Sequence, residues 1–186
     1  MGLFPDYNAG FTVLLAGDSS PHQMTAKLAE MIADTMLPAF EEVARNQALE
    51  RFAGTYFVMH GGSNSSITIT ADAGPGLKIT EWTSNSVDMF QTLMALQGLT
   101  DRATINIRLQ PNGLQTARRI SFSTIIGPAS ASSNGGPILS SCFSWMTLDS
   151  FIYGNLGLTE FEFELDDNGY AAAISPRALR ITIPRM

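Results

Sequence analysis

The 186-residue chain predicts a mainly β fold with an N-terminal helix, an α+β arrangement built on an antiparallel barrel or sandwich. Three observations carry that expectation. Residues 20–49 hold apolar side chains at helical spacing. Beyond residue 50, about eight or nine short alternating segments follow one another between turn residues. Hydrophobic residues make up 45% of the chain and charged residues 15%, which supports a sizeable core and excludes a disordered chain.

Phe11 to Ala16 (FTVLLA) is an unbroken apolar run, and residues 11–17 read as a strand covered on both faces. Ser19 or Ser20 then offers an N-cap, with Pro21 suited to the first helical position. Met24, Leu28, Met31, Ile32 and Met36 form one stripe, and Pro38 is expected to kink or break the helix. Phe40, Val43, Ala44 and Ala48 continue an apolar face beyond it.

The β region begins with Thr55 to His60. In Ser66 to Ala71, Ile67 and Ile69 alternate with threonines, and Gly74-Pro75-Gly76 turns the chain into Leu77 to Trp82. A short helix follows. Ser84, Asn85 or Ser86 is expected to cap it, Val87, Phe90, Leu93 and Met94 form its stripe, and Gly98 ends it. Ala103, Ile105, Ile107 and Leu109 share a strand face, and Asn112-Gly113 is a hairpin signal. The return strand lies within Leu114 to Ile126, with Ile120 and Phe122 on one face. Residues 127–137 read as a small-residue loop and Cys142 to Leu148 as a strand. Glu160 to Leu165 alternates glutamates with Phe161, Phe163 and Leu165. Asn168-Gly169 turns the chain, Tyr170 to Ile174 returns, and Ala178 to Pro184 closes the sheet.

Net charge is -6 and the pI about 4.8, with Arg118-Arg119 the only adjacent basic pair, so nucleic-acid binding is not expected. No apolar run is long enough for a transmembrane helix, and the N-terminus lacks a signal-peptide pattern. Cys142 is the lone cysteine, which excludes an internal disulfide and a cysteine zinc site. Asn64-Ser65-Ser66 is a glycosylation sequon in the GGSNSS segment.

Candidate chemistry is sparse. His22 and His60 are far apart and make no metal pair. Glu160, Glu162 and Glu164 alternate onto one wet strand face, with Asp166 and Asp167 beyond them, rather than converging from a loop as hard-cation sites do. No serine is followed by lysine in a Ser-x-x-Lys pattern, which would set an amine one helical turn from the hydroxyl it helps activate. Without that nucleophile, the Tyr-x-Asn element Tyr153-Gly154-Asn155 and the His-x-Gly element His60-Gly61-Gly62 carry no chemistry. No catalytic, cofactor-binding or metal residue is assigned, and no cofactor is expected.

Several segments, in order, carry a family resemblance. LFPDYNAGFTVLLAGD, LPAFEEVARNQALERFAGTY, GPGLKITEWTSN, INIRLQPNGL, CFSWMTLDSFIYG and TEFEFELDDNGYA together resemble the C-terminal region of fungal β-lactamase-related hydrolases, the serine β-lactamase and penicillin-binding-protein-like enzymes. The resemblance implies hydrolysis of amides or esters through an acyl-serine in the parent enzyme, without a cofactor. It places residues 11–17 as the last strand of a catalytic sheet and 20–36 as the helix on it. Residues 1–50 are then a remnant of the catalytic domain, and 51–186 a β-rich accessory domain, often lipocalin-like in related hydrolases. No catalytic residue carries over, so the chain is expected to be a non-catalytic fragment of such an enzyme.

The expected partner is the missing N-terminal catalytic domain or a second copy of the chain. The resemblance suggests secretion, although the chain carries no signal of its own. Two other readings stand beside this one. In one, residues 51–186 form a stand-alone lipocalin-like barrel that binds a small apolar ligand through Trp82, Phe122, Trp145, Phe161 and Phe163. In the other, the strand at 11–17 pairs with its copy in a dimerisation module.

Overall fold

A computed structural model of the chain describes residues 1–16, 21–128 and 150–186. The chain divides into two compact units, Met1–Gln47 and Ala48–Met186. The boundary falls inside one long helix.

In the first unit, β1 (Gly2–Phe4) and β2 (Ala9–Phe11) form an antiparallel hairpin with Gly2 opposite Phe11. A 3-10 turn over Pro5–Tyr7 joins them, and Asn8 closes it in the left-handed region at φ 50°. Helix α1 follows over Pro21–Phe52. The rings of Phe4 and Tyr7 lie 5.5 and 5.2 Å from that of Phe40 on α1. Two expectations are corrected here. The strand over residues 11–17 does not form: Phe11 ends β2, residues 12–16 have no regular structure, and Gly17 lies outside the described residues. Its apolar side chains lack the covering layers that would make an interior strand, and Leu14 is 88% exposed. Of the kink or break expected at Pro38, the break does not occur, since α1 runs on through it. Pro38 and Asp34 are both exposed, so water can take the carbonyl that loses its helical N–H.

The second unit is the β domain. Its first strands are β3 (Gly54–His60), β4 (Ser63–Thr70), β5 (Leu77–Ser84) and the two-residue β6 (Val87–Asp88). After α2 (Met89–Gln97) come β7 (Ile105–Gln115) and β8 (Arg119–Pro128). A small ribbon, β9 (Ile152–Tyr153) with β10 (Leu156–Gly157), precedes β11 (Glu160–Leu165), β12 (Ala171–Pro176) and β13 (Ile183–Pro184). Among the described residues the main sheet has nine strands in the order β13-β12-β11-β8-β7-β5-β4-β3, with β6 on β5, and each paired neighbour is antiparallel. Its two ends meet. Tyr56 on β3 bridges Arg185 just past β13, and the Met186 N–H donates to the Thr55 carbonyl at 2.9 Å. The sheet is thereby a nearly closed barrel.

Alternation explains the interior. Ile67 and Ile69, Ile105, Ile107 and Leu109, Phe161 and Phe163 all turn inward as their period predicts. Phe52, the last residue of α1, joins the same core. Its ring lies 5.0 Å from Phe163 and 5.4 Å from Phe122, while Trp82 meets Phe161 edge-on at 5.2 Å. The aromatic residues considered as ligand-binding groups therefore pack on one another; Trp145 lies outside the described residues.

Local expectations fail in five places. Asn112-Gly113 is not the hairpin turn: it sits in an irregular stretch of β7 between Pro111 and Gln115, and the chain reverses at Thr116–Arg119. Helix α2 is capped by Asp88, not by Ser84, Asn85 or Ser86, because its carboxylate reaches the Phe90 N–H at 2.8 Å. Val87 is accordingly in β6 and exposed. Ala178 to Pro184 is not one strand, since a 3-10 turn over Arg177–Leu179 precedes the short β13. Gly127 and Pro128 extend β8, while the rest of the expected loop and the strand over Cys142 to Leu148 lie outside the described residues.

Tyr56 ties the helix end to the barrel. Its hydroxyl donates to the Phe52 carbonyl at 2.7 Å inside the core. Burial pushes its pKa up to about 12 against an opposing pull from Arg185. The neutral phenol is thus favoured in the folded state, so stability is full below pH 10 and drains away as pH rises towards 12. A move from 10 to about 12 corresponds to roughly 3 kcal/mol. Urea unfolding at stepped alkaline pH should show that decline, and Tyr56→Phe should flatten it at a cost of about 1 kcal/mol near neutrality.

Candidate functional site

The two histidines belong to different units. His22 stands in the first turn of α1, and His60 ends β3 in the other unit, exposed. Gly61 and Gly62, at φ 58° and 84°, make the two-residue turn between β3 and β4 that pairs His60 with Ser63. Tyr153-Gly154-Asn155 is likewise a hairpin corner, with Gly154 and Asn155 at φ 59° and 66° between β9 and β10. Turn geometry accounts for both short elements.

The glutamates of β11 project outward as alternation predicts. Arg119 meets Glu162 at 3.0 Å and Glu164 at 3.2 Å, and Arg177 meets Glu160 at 3.4 Å. These are solvent-facing pairs, the first two across β8 and β11, of small energetic weight. Asp166 accepts from the Asn168 and Tyr170 N–H groups and shapes the turn there, and Asp167 pairs with Arg118 at 2.7 Å. Among the described residues, no three histidine, cysteine, aspartate or glutamate side chains converge as metal ligands. Cys142 lies outside them. Asn64 of the sequon is in β4, where its carbonyl oxygen accepts from the Ser86 hydroxyl at 2.8 Å.

The barrel wall is thin between β5 and β7. β5 and β7 share only the pairs Leu77 with Leu109 and Lys78 with Arg108. Past these the strands diverge, and a cleft of about 460 Å³ opens between them. Ile79, Phe90 and Ile105 form its apolar floor, and Lys78, Arg102 and Asn106 its polar rim. Asp88 sets this geometry twice. One carboxylate oxygen caps α2 and thereby fixes Phe90, and the other pairs with Arg102 at 3.4 Å. The Arg102 guanidinium stands 4.2 Å from the Phe90 ring centre and donates to the Thr80 carbonyl at 2.9 Å. Asp101 organises the preceding turn by accepting from the Ala103 N–H at 2.9 Å.

At the other end of the rim, Arg108 grips both oxygens of Asp72 at 2.6 and 2.8 Å. Lys78 reaches Asp72 only at 3.6 Å. Burial pushes the Asp72 carboxyl up, but the Arg108 hydrogen bonds, the Gly74 N–H and the nearby charges of Arg108 and Lys78 outweigh it and hold it below its usual range. Asp72 is therefore a carboxylate already committed to Arg108. Asn106 Oδ1 is buried and has no hydrogen-bond partner. Chemically, this is a cleft with an apolar base, two cations and a free acceptor. Its residues form no catalytic or metal-binding motif, and the strand divergence that creates it leaves no pattern in the sequence.

The fold and the cleft define an antiparallel, barrel-like β domain with a short helix laid against a parted seam. The chain belongs to the family described as "Beta-lactamase-like-like, C-terminal domain", whose model matches residues 44–186. This bears out the resemblance to β-lactamase-like C-terminal regions. No curated protein and no solved structure matched the chain.

Proposed function

We propose that the β domain is a non-catalytic accessory domain of a β-lactamase-like serine hydrolase, and that the hairpin and helix before it seat against that enzyme's catalytic domain. The family match carries the reading, because it describes residues 44–186 as a C-terminal domain and leaves residues 1–43 as the segment that leads into it. Burial supports it. Among the described residues, none before Phe52 is buried, and Leu3, Leu14, Met24, Met31 and Val43 are all exposed. Covering such side chains is worth about 1.5–3 kcal/mol each. The absence of any Ser-x-x-Lys from the chain is consistent with catalysis residing elsewhere.

Reading the genomic frame upstream of Met1 tests the proposal. An in-frame Ser-x-x-Lys followed by Tyr-x-Asn is the expected result, and a frame closed by stop codons overturns it. The chain by itself should release no p-nitrophenol from p-nitrophenyl esters above the buffer rate; turnover would contradict the non-catalytic role. Light scattering provides a third check, since a stable dimer that buries Leu14, Met24 and Met31 would assign the apolar face to a second copy instead.

A further inference from the structure

We propose that the cleft at the β5–β7 seam binds a small carboxylate with an apolar body and a hydrogen-bond donor, such as an N-acylated amino acid. This does not depend on the accessory role, because every group involved lies within the β domain. The volume of about 460 Å³ is in the range of small-molecule sites. Its recognition groups are complementary to such a molecule. Arg102 is held in one orientation by the Phe90 ring and the Thr80 carbonyl, and its pairing with Asp88 is long, at 3.4 Å. Lys78 is the weaker claimant on Asp72, whose two oxygens are already taken by Arg108, so its ammonium can turn to an incoming anion with little loss. A carboxylate lies between these two cations. Its apolar body rests on the small accessible edges of Ile79, Phe90 and Ile105, and a turn of the Asn106 side chain brings Oδ1, buried without a partner in the free protein, to its N–H.

Titration of the full chain with N-acetyl-leucine, followed by two-dimensional amide NMR, tests the site. Saturable shifts are expected at Lys78–Thr80 and at Ala103–Asn106. N-acetyl-leucine amide, which lacks the charge, should bind about tenfold more weakly, as should N-acetyl-leucine with Lys78→Gln. Lys78 is exposed, so this variant should melt as the parent does, which separates lost recognition from lost folding. Arg102→Gln should also weaken binding, and its melting curve shows whether the cleft survives. Absence of saturable shifts overturns the proposal, as does equal affinity for the acid and the amide, or unchanged affinity in Lys78→Gln.

Discussion

Phe163→Ala should cost the β domain about 3–5 kcal/mol, a large share of the stability of an ordinary domain. Phe163 is fully buried on β11, and its ring meets Phe52 at 5.0 Å, Phe122 at 5.1 Å and Tyr56 at 6.0 Å. Those partners come from the end of α1, from β8 and from β3, so removing the ring loosens three elements at once. The cavity it leaves cannot collapse easily, because strands on both sides are held by their ladders. Urea unfolding followed by tryptophan fluorescence measures the loss. Phe57→Ala is the matched control: Phe57 points outward from β3 at 36% exposure and should cost less than about 1 kcal/mol. Similar losses from both would mean that the aromatic cluster is not the centre of the core.

That contrast shows what the sequence could reveal. The inward set Ile67, Ile69, Ile107, Leu109, Phe161 and Phe163 follows from a period of two, and so does the outward row of glutamates on β11. Gly98 as a helix stop and Asn168-Gly169 as a turn were equally legible, since each adopts a conformation those residues favour. FTVLLA misled because apolar composition describes a need for cover, not a strand, and cover depends on chain that must lie alongside. Asn112-Gly113 misled because a favourable turn pair competed with an irregular β7 that delays the reversal to Thr116. The cleft was illegible for a different reason. It arises where two strands stop pairing, and Lys78 on β5 is far in sequence from Arg102 and Asn106 around the start of β7.

A barrel was among the expected folds, but the contacts that join its ends were not legible, and Arg185 is the residue that makes them. Its guanidinium donates to the Ala53 carbonyl and, at 3.3 Å, to that of Arg51, while its backbone bridges Tyr56. The carbonyls at the end of α1 have no helical partners of their own, and a cation there also matches the negative end of the helix. Gly54, at φ 143°, leaves room for this approach, since a Cβ on it would stand 3.1 Å from Arg185 Nε. Arg185→Met keeps much of the bulk and removes the donors, and should cost about 2–4 kcal/mol. A second readout separates this from a general packing defect. Arg185 pulls the Tyr56 phenol down against its burial, so in Arg185→Met the phenol should ionise at still higher pH than in the parent. Phenolate absorbance during alkaline titration follows that shift. A destabilised variant whose Tyr56 ionises at lower pH would mean that the core had opened to water and that the arginine acts by filling space. A shift upward with reduced stability identifies Arg185 as the charge that holds the helix end, β3 and β13 together.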